Sequence, residues 1–340
     1  MTSAIVHQRT ALSRPLVVTG DLRDVTYTIA PDFTPYPSAG AARLNWCVMV
    51  KDARTIRNVH IVGHDGGWLH QWDVPLGAPL PPPEPGIPAW LGGLLVRDLE
   101  GTIDNVTAYG LPGRPLQVEA STDSRVGRLA FNRCFSGPRF GPTGEHRRLV
   151  VDDVVVGDCW MPWVDWAEGA TLWSDVYGVY RESAPGDGII PACSTGGSTL
   201  ILANARGHCD VRNVRRVPGT EGKGMKLNMV EDLLVEHCAP GGTIQVAGPS
   251  ARVLIRRCTI DLDGGYRKRP REYNGLHVFD SQAVWIHDSE LRGAGEGKHA
   301  IWSDNSQVVA TSCRGYGWQE PTKAVRGGTI DERGCALGGE

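Results

Sequence analysis

The sequence lacks the features that would assign it to several common classes of protein. No run of about 18 apolar residues occurs, so no membrane-spanning helix is expected. The first residues contain no basic segment followed by an apolar stretch, so we also expect no signal peptide. The formal net charge is only -3, and no basic patch is interleaved with aromatic residues. Nucleic acid is therefore not expected as a partner.

The cysteines lack a metal-binding arrangement. Nine are present, but no two of them are spaced as Cys-x-x-Cys, so we predict neither a metal nor another cofactor. Cys134, Cys238, Cys258 and Cys313 fall at one position of the repeat described next. Cysteine suits a stack inside a repeating core, and its odd number argues against complete pairing. We therefore predict reduced core thiols rather than disulfides.

A short apolar signature recurs along the chain, of the form apolar-x-apolar-x-x-small-x-apolar. Its clearest copies lie at residues 129–134, 149–154, 233–238, 253–258, 284–289 and 308–313. Weaker copies lie at residues 59–64, 101–106, 171–176 and 209–214. Many copies follow one another after 20 to 24 residues, and a few gaps are longer. A fixed period of this length is typical of a solenoid.

Each copy contains the alternation of a half-buried strand, and a second short strand precedes several of them. Examples of the second strand are residues 225–227, 244–246, 276–278 and 300–302. No helix-length periodic segment separates the strands, which favours an all-β parallel β-helix over helical repeats. We predict about ten coils with inserted loops over residues 46–318, a strand-containing cap over residues 1–45, and a tail over residues 319–340.

Repeat segments such as ARVLIRRCTIDLDG and AVWIHDSELRG resemble the right-handed parallel β-helix (pectate-lyase-like) superfamily. The resemblance covers roughly residues 50–318 and implies a single-stranded, right-handed solenoid. Phage tailspike and minor tail proteins are also similar in this respect. Such a resemblance concerns the fold and says little about function.

The catalytic signatures of two families in that superfamily are missing. Pectate lyases carry Arg-x-Pro-x-x-Arg, whereas Pro270 is preceded by Lys268 and followed by Tyr273 at the corresponding positions. Polygalacturonases require a later Asp-Asp and an Arg-Ile-Lys, and neither is present in the required order. The resemblance therefore transfers no catalytic residues.

Polar residues on the later strands form a candidate catalytic group. Lys226 and His277 alternate with apolar neighbours, and Asp280 and Asp304 lie at or near the ends of the same strands. A lysine, a histidine and an acid in one groove could abstract a proton next to a carboxylate or carry out acid/base hydrolysis. Alternatively, these residues are ordinary polar positions on a repeating face.

Two loops offer candidate substrate contacts. Trp160, Trp163 and Trp166 could stack on apolar sugar faces, or they could pack as buried rings in a loop. A second loop could bind an acidic sugar through forked hydrogen bonds, or it could be a solvated turn or an ion-paired subunit contact. Its residues are Arg267, Arg269, Arg271 and Tyr273.

Three functions fit these observations. The first is a tailspike-like or minor tail protein of a bacteriophage, made in the host cytoplasm, trimeric, and binding or depolymerising a host-surface polysaccharide beside other virion proteins. The second is a stand-alone lyase, hydrolase or epimerase on an acidic glycan. The third is a structural β-helix without a glycan site. Whether the chain is an enzyme stays open at this point.

Overall fold

The computed structural model describes residues 7–33, 45–63, 91–111, 113–134, 136–141, 143–157, 198–218, 220, 224–262 and 274–339. These residues form strands and turns without any helix. The strands are β1 (Gln8–Leu12), β2 (Leu16–Thr19), β3 (Leu22–Ile29), β4 (Asn45–Lys51), β5 (Ala53–Val62), β6 (Leu91–Leu111), β7 (Leu116–Cys134), β8 (Arg139–Phe140), β9 (His146–Val156), β10 (Ser198–Ala203), β11 (Cys209–Arg216), β12 (Gly224–Asn228), β13 (Glu231–Glu236), β14 (Ile244–Ala247), β15 (Ala251–Arg256), β16 (Thr259–Asp261), β17 (Asn274–Phe279), β18 (Val284–His287), β19 (Glu290–Asp304), β20 (Gln307–Thr311), β21 (Arg314–Val325), β22 (Thr329–Arg333) and β23 (Ala336–Gly339).

Every strand pairing in register is parallel, and the partners are the equivalent strands of successive coils. Thus β12 pairs with β14, and β14 pairs with β17, while β13 pairs with β15, and β15 pairs with β18. This stacking confirms the prediction of an all-β parallel β-helix. The strands predicted at 225–227, 244–246, 276–278 and 300–302 all lie within it.

The core of the solenoid is a set of inward rows that run from coil to coil. One such row places directly paired residues above one another on successive strands, and all of them are fully buried. Its members are Val50, Val96, Val118, Phe140, Leu202, Leu227, Val246, Val278 and Ser303. Because side chains alternate between the two faces of a strand, the residues between these positions face outward.

The coils turn at corners where one residue adopts a left-handed backbone conformation. One corner repeats in eleven stacked segments of the described chain, and most of its members are not glycine. They are Asp24, Asn58, Asn105, Arg128, Asp153, Asn213, His237, Arg257, Asp288, Ser312 and Gly334. Asparagine and aspartate tolerate this conformation better than other residues with a Cβ atom. Asn and Asp residues at this corner therefore encode most of these turns.

The small position of the sequence signature is the residue that follows this corner. Cys238, Cys258 and Cys313 occupy it, as predicted, and Cys335 joins them. Cys134 does not, because it pairs with Leu111, and Leu129 holds the equivalent position in that coil. The assignment of Cys134 to the cysteine row is thus wrong. The cause is an apolar strand, β7, that is longer than the short signature, so that the signature fits it at two registers.

The strands outside residues 46–318 stack in the same manner as those inside. At one end β1 pairs with β3, and β3 pairs with β5, in parallel register. At the other end β20 pairs with β22, and β21 pairs with β23. The described parts of the predicted cap and tail therefore continue the coil stacking. No helix in the described ranges is long and apolar enough to span a lipid bilayer.

Candidate functional site

An outward row of polar and aromatic side chains lies on one face of the later coils. Lys226 on β12 pairs with Gln245 on β14, which pairs with His277 on β17. His277 pairs with Trp302 on β19, and Trp302 pairs with Lys323 on β21. We call these five residues the 226–323 row. Because paired strands lie about 4.8 Å apart, the row extends over about 19 Å.

Local sequence explains why these side chains share a face. Each of the five stands three residues before a left-handed corner, formed by Met229, Gly248, Asp280, Asn305 or Arg326. Apolar residues that point inward flank most of them, as Met225 and Leu227 flank Lys226. The corner fixes the register of each strand. The alternation of side chains along the strand then directs all five residues of the row to the outside.

Solvent reaches the row only along part of its length. The same row continues backwards through Ile201, Arg139 and Gln117 in the preceding coils. Ile201 is only 4% exposed and Gln117 only 6%, although both occupy outward positions. From Lys226 onward the side chains are half-buried or exposed. Arg139, which lies between them in the row, is partly exposed. The continuous accessible part of this face therefore begins at Lys226.

A second outward row runs beside the first and carries a predicted carboxylate. It consists of Asn228, Ala247, Phe279, Asp304 and Val325 in register. The Asp304 carboxylate accepts hydrogen bonds from Nε and Nη2 of Arg326 at 2.5 and 2.7 Å. Asp304 is therefore held in a two-point ion pair at the edge of the face.

Asp280 occupies the corner itself rather than the face. Its φ of 49° is left-handed, and its Oδ1 atom accepts a hydrogen bond from Nδ2 of Asn305 at 2.8 Å. The structure thus places Lys226 and His277 in one row, Asp304 in the neighbouring row, and Asp280 at the turn that follows. Their catalytic roles stay a prediction.

Aromatic rings surround the histidine of the row. The His277 ring lies 5.6 Å from Trp302 and 5.3 Å from Phe279, measured between ring centres. His299 contacts the other side of Trp302 with an edge-to-face geometry at 5.2 Å. Rings at these separations pack favourably, so the cluster fixes the orientation of His277.

A buried histidine and two exposed charged side chains adjoin the cluster on β19 and β21. The Nδ1 atom of His299 lies 3.6 Å from a carboxylate oxygen of Glu320, and Nζ of Lys323 lies 3.4 Å from the same oxygen. Burial lowers the pKa of His299, and the nearby Glu320 carboxylate partly offsets this effect. Glu320 thus connects His299 to the last lysine of the 226–323 row.

Charged side chains around Glu236, on β13 and its neighbours β11 and β15, are paired with one another. Glu236 is only 7% exposed and lies 2.7 Å from Nε of Arg256 and 4.0 Å from Nε of Arg212. Hydrogen bonding to Arg256 is the main cause that lowers the pKa of Glu236. These residues form a lattice that satisfies its own charges, so that face is a weaker candidate for a ligand site.

Several predicted contacts fall outside the described residues. They are Trp160, Trp163 and Trp166 of the first loop, and Arg267, Arg269, Arg271 and Tyr273 of the second. Gln245, Trp302 and Lys323 were missed by the sequence analysis, as was Phe279. Aligning the repeats on the inward apolar residue before each corner would have found the first three, because they share the position of Lys226. Across the part of the chain with described side chains, no group of three or more His, Cys, Asp or Glu residues could hold a metal ion.

Comparison with solved structures found several matches, among them three polysaccharide- or oligosaccharide-acting enzymes. A mutant of the periplasmic alginate epimerase AlgG matches with a TM-score of 0.36 and 7% identity, covering 98% of this chain and 79% of that one. A GH136 lacto-N-biosidase from Eubacterium ramulus matches with a TM-score of 0.35 and 8% identity, covering 97% and 61%.

The third is the A-module of mannuronan C-5 epimerase AlgE6 from Azotobacter vinelandii. It matches with a TM-score of 0.30 and 9% identity, covering 98% of this chain and 88% of that one. No family model matches the sequence, and no curated protein does so either. At these TM-scores and identities the function has to be argued from the chain's own face.

Proposed function

We propose that this chain is a polysaccharide-processing β-helix protein whose 226–323 row binds an acidic glycan. The observation that carries the proposal is the register of Lys226, Gln245, His277, Trp302 and Lys323 on five adjacent strands. An accessible row of about 19 Å suits an extended ligand that crosses the strands and contacts several coils at once.

The side chains of the row supply the contacts that an acidic glycan needs. Lys226 and Lys323 stand at its two ends, where their ammonium groups can pair with carboxylates. Gln245 can donate and accept hydrogen bonds with hydroxyl groups. Trp302 offers an aromatic surface on which the apolar face of a sugar can pack.

His277 is the group of the row best suited to move a proton. It lies at the centre, two strands from Lys226, and histidine is the side chain that most often serves as a general acid or base. As a base, it would remove the proton next to the carboxylate of an acidic sugar. Lys226 would then stabilise the negative charge that develops on that carboxylate. The same histidine could instead serve acid/base hydrolysis.

The test combines binding and turnover on one panel of acidic and neutral polysaccharides. Binding is measured by titration calorimetry, and turnover is followed by chain shortening and by the ultraviolet absorbance of an unsaturated product. We expect binding of at least one acidic glycan, weaker binding as salt rises, and weaker binding by Lys226→Ala and Lys323→Ala.

Lys51→Ala is the matched control, because Lys51 is an exposed lysine at the end of β4 and does not belong to the row. Its binding should equal that of the unchanged protein. Equal losses in all three lysine variants would show a non-specific charge effect and would contradict the proposal. Binding only of neutral glycans would contradict it as well.

A place in a phage virion stays a prediction from the sequence. In that role the chain would be a homotrimeric tailspike-like or minor tail protein, made in the host cytoplasm and bound to other virion proteins. Light scattering of the purified chain tests it directly. A trimer that binds a host-surface glycan would support the virion role, whereas a monomer that turns over the glycan would favour the stand-alone enzyme.

A further inference from the structure

Two cysteines face each other in the last coils of the solenoid. Cys313 and Cys335 each follow a left-handed corner residue, Ser312 and Gly334, in the inward position of the repeat. The register of the flanking strands, Thr311 with Arg333 and Arg314 with Ala336, places the two cysteines opposite one another in the turns between those strands. The N–H group of Cys313 donates to Sγ of Cys335 over 3.5 Å, so that sulfur points toward Cys313.

The spacing of the pair suits a disulfide. Paired parallel strands lie about 4.8 Å apart, and disulfides join residues whose Cα atoms are about 4.4 to 6.8 Å apart. Both thiols are free in the structure. Sγ of Cys313 contacts the carbonyl oxygens of Thr311 and Ile286 at 3.4 and 3.6 Å. Thiol hydrogen bonds are weak, so rotating the Cys313 side chain toward Cys335 costs little free energy.

A second cysteine pair of the same geometry provides an internal comparison. Cys238 and Cys258 are also neighbours in the inward position, and their sulfurs contact the carbonyl oxygens of Glu236 and Arg256. Both are buried, at 0% and 1% exposure, whereas Cys335 is partly exposed. Of these two pairs, only the one near the end of the described coils contains a cysteine, Cys335, that an oxidant from solution can reach.

We propose that Cys313 and Cys335 form a site of oxidative modification, closing into a disulfide that staples the last coil to the one before it. The oxidant is a small disulfide such as oxidised glutathione. The Cys335 thiolate attacks one sulfur of the oxidant and expels a glutathione thiolate. Cys313 then loses its proton to solvent, attacks the Cys335 sulfur and expels the second thiolate. The two cysteines lose two electrons together, and the oxidant becomes two thiols.

The disulfide would restrain the strand that completes the candidate face. It joins residues 22 positions apart, and β21 with Glu320 and Lys323 lies between them. Burial raises the pKa of the Cys313 thiol to about 11, so we expect the closing step to become faster as the pH rises from neutral. The proposal depends on the cysteine geometry and is independent of the proposed function.

The experiment treats the full chain with oxidised glutathione under native conditions and maps every cysteine by alkylation and peptide mass spectrometry. Mapping by peptide is needed because Cys159 and Cys193 lie outside the described residues. We expect a Cys313–Cys335 crosslinked peptide, alkylation of Cys238 and Cys258 only after unfolding, and a higher melting temperature than in the reduced protein. Amide exchange over residues 314–339 should become slower on oxidation.

Cys335→Ser and Cys313→Ser, made separately, serve as the controls. Cys335→Ser should abolish the crosslink and the shift in melting temperature, and Cys313→Ser should leave Cys335 as a mixed disulfide with glutathione. The proposal fails if the unchanged protein itself carries only the mixed disulfide, or if Cys335 pairs with Cys159 or Cys193. It also fails if the Cys238–Cys258 pair oxidises as readily as the terminal pair.

Discussion

His277 is the residue on which the proposed chemistry depends. It lies at the centre of the 226–323 row, and the rings of Trp302 and Phe279 restrict its orientation. Because its side chain faces outward, its loss should leave the core unchanged. A positioned acid or base contributes a factor of about 10² to 10⁴ to a rate.

We expect His277→Ala to lower the turnover of an acidic glycan by about 10² to 10⁴. Glycan affinity should change less than fivefold or so, since binding rests on the lysines and Trp302. Initial rates and calorimetry on the same preparation check both expectations. Gln245→Ala is the comparison variant, because Gln245 shares the row but cannot carry a proton. Equal turnover in His277→Ala and the unchanged protein would remove the histidine from the mechanism.

A different histidine should make stability depend on pH. His146 is fully buried inside the coil, its Nδ1 atom lies 2.8 Å from Oγ of Ser121, and the edge of the Phe140 ring is close by. Burial lowers the pKa of His146 to about 4. In the unfolded chain the same group titrates at about pH 6.5. Protons therefore bind more readily to the unfolded state between these two values.

Stability should accordingly fall as the pH drops from about 7 to about 4, by up to about 3 kcal/mol from this group. Below about pH 4 the histidine adds no further loss. Urea unfolding at a series of pH values measures the effect. His146→Gln should flatten the curve in this window. An unchanged slope in the variant would assign the pH dependence to other groups, such as the half-buried His60 and the buried His299.

At the scale of elements, the corner residues hold the coils in register. Asn58 has a φ of 53°, and it donates from Nδ2 to Asp24 and accepts at Oδ1 from Asn105, over 2.6 and 2.8 Å. These bonds run along the solenoid and join three consecutive coils. Asparagine thus serves both the backbone conformation and the connection between coils.

Replacing Asn58 by valine should lower the free energy of unfolding by about 2 to 4 kcal/mol. About 1 to 2 kcal/mol arises from a β-branched residue in the left-handed region, and the rest from two lost hydrogen bonds. Asn58→Gly keeps the conformation and loses only the bonds, so its cost should be about half. Denaturant unfolding ranks the two variants. A valine variant as stable as the glycine variant would show that the corner is not strained.

Some glycines near the strands are required by close packing and not by a left-handed backbone corner. Gly275 and Gly293 do not adopt left-handed conformations. A Cβ atom on Gly293 would lie 2.1 Å from the carbonyl oxygen of Gly317 and 2.8 Å from the ring of Trp318, and one on Gly297 would lie 2.5 Å from that ring. Trp318 also donates from Nε1 to the carbonyl of Leu291 at 3.0 Å. These glycines therefore make room for a tryptophan, which only the packing reveals.

At the scale of the whole molecule, each coil contacts only its neighbours, as in other solenoids. A cavity in a central coil should therefore weaken both halves, and a cavity in the last coil should act locally. Leu227 is fully buried in the middle of the described coils, and Leu337, at 3% exposure, lies in the last strand.

We expect Leu227→Ala to cost about 2 to 5 kcal/mol and to lower the main thermal transition. Leu337→Ala should raise amide exchange over residues 314–339 and leave the central strands protected. Hydrogen exchange by mass spectrometry distinguishes the two patterns. If both variants loosen the whole chain to the same degree, the molecule unfolds as one cooperative unit.

Much of the fold could be predicted from the sequence, because period and alternation are local properties. The strands around Leu227, Val246 and Val278 lie where the apolar pattern placed them. Lys226 and His277 share one row for the same reason. The position of Cys134 could not be fixed locally, because an apolar strand longer than the short signature admits two registers, and only pairing with Leu111 selects one.

The sequence alone determined the parallel β-helix and the outward side of its strands, since a 20- to 24-residue period with two-residue alternation has few other solutions. The tertiary structure decided which side chains meet. Trp302 and Lys323 join the row of His277 because the pairing of β17, β19 and β21 brings these three residues into register. It also decided that Cys335 is partly exposed while its neighbour Cys313 is buried, since exposure depends on how the coils pack.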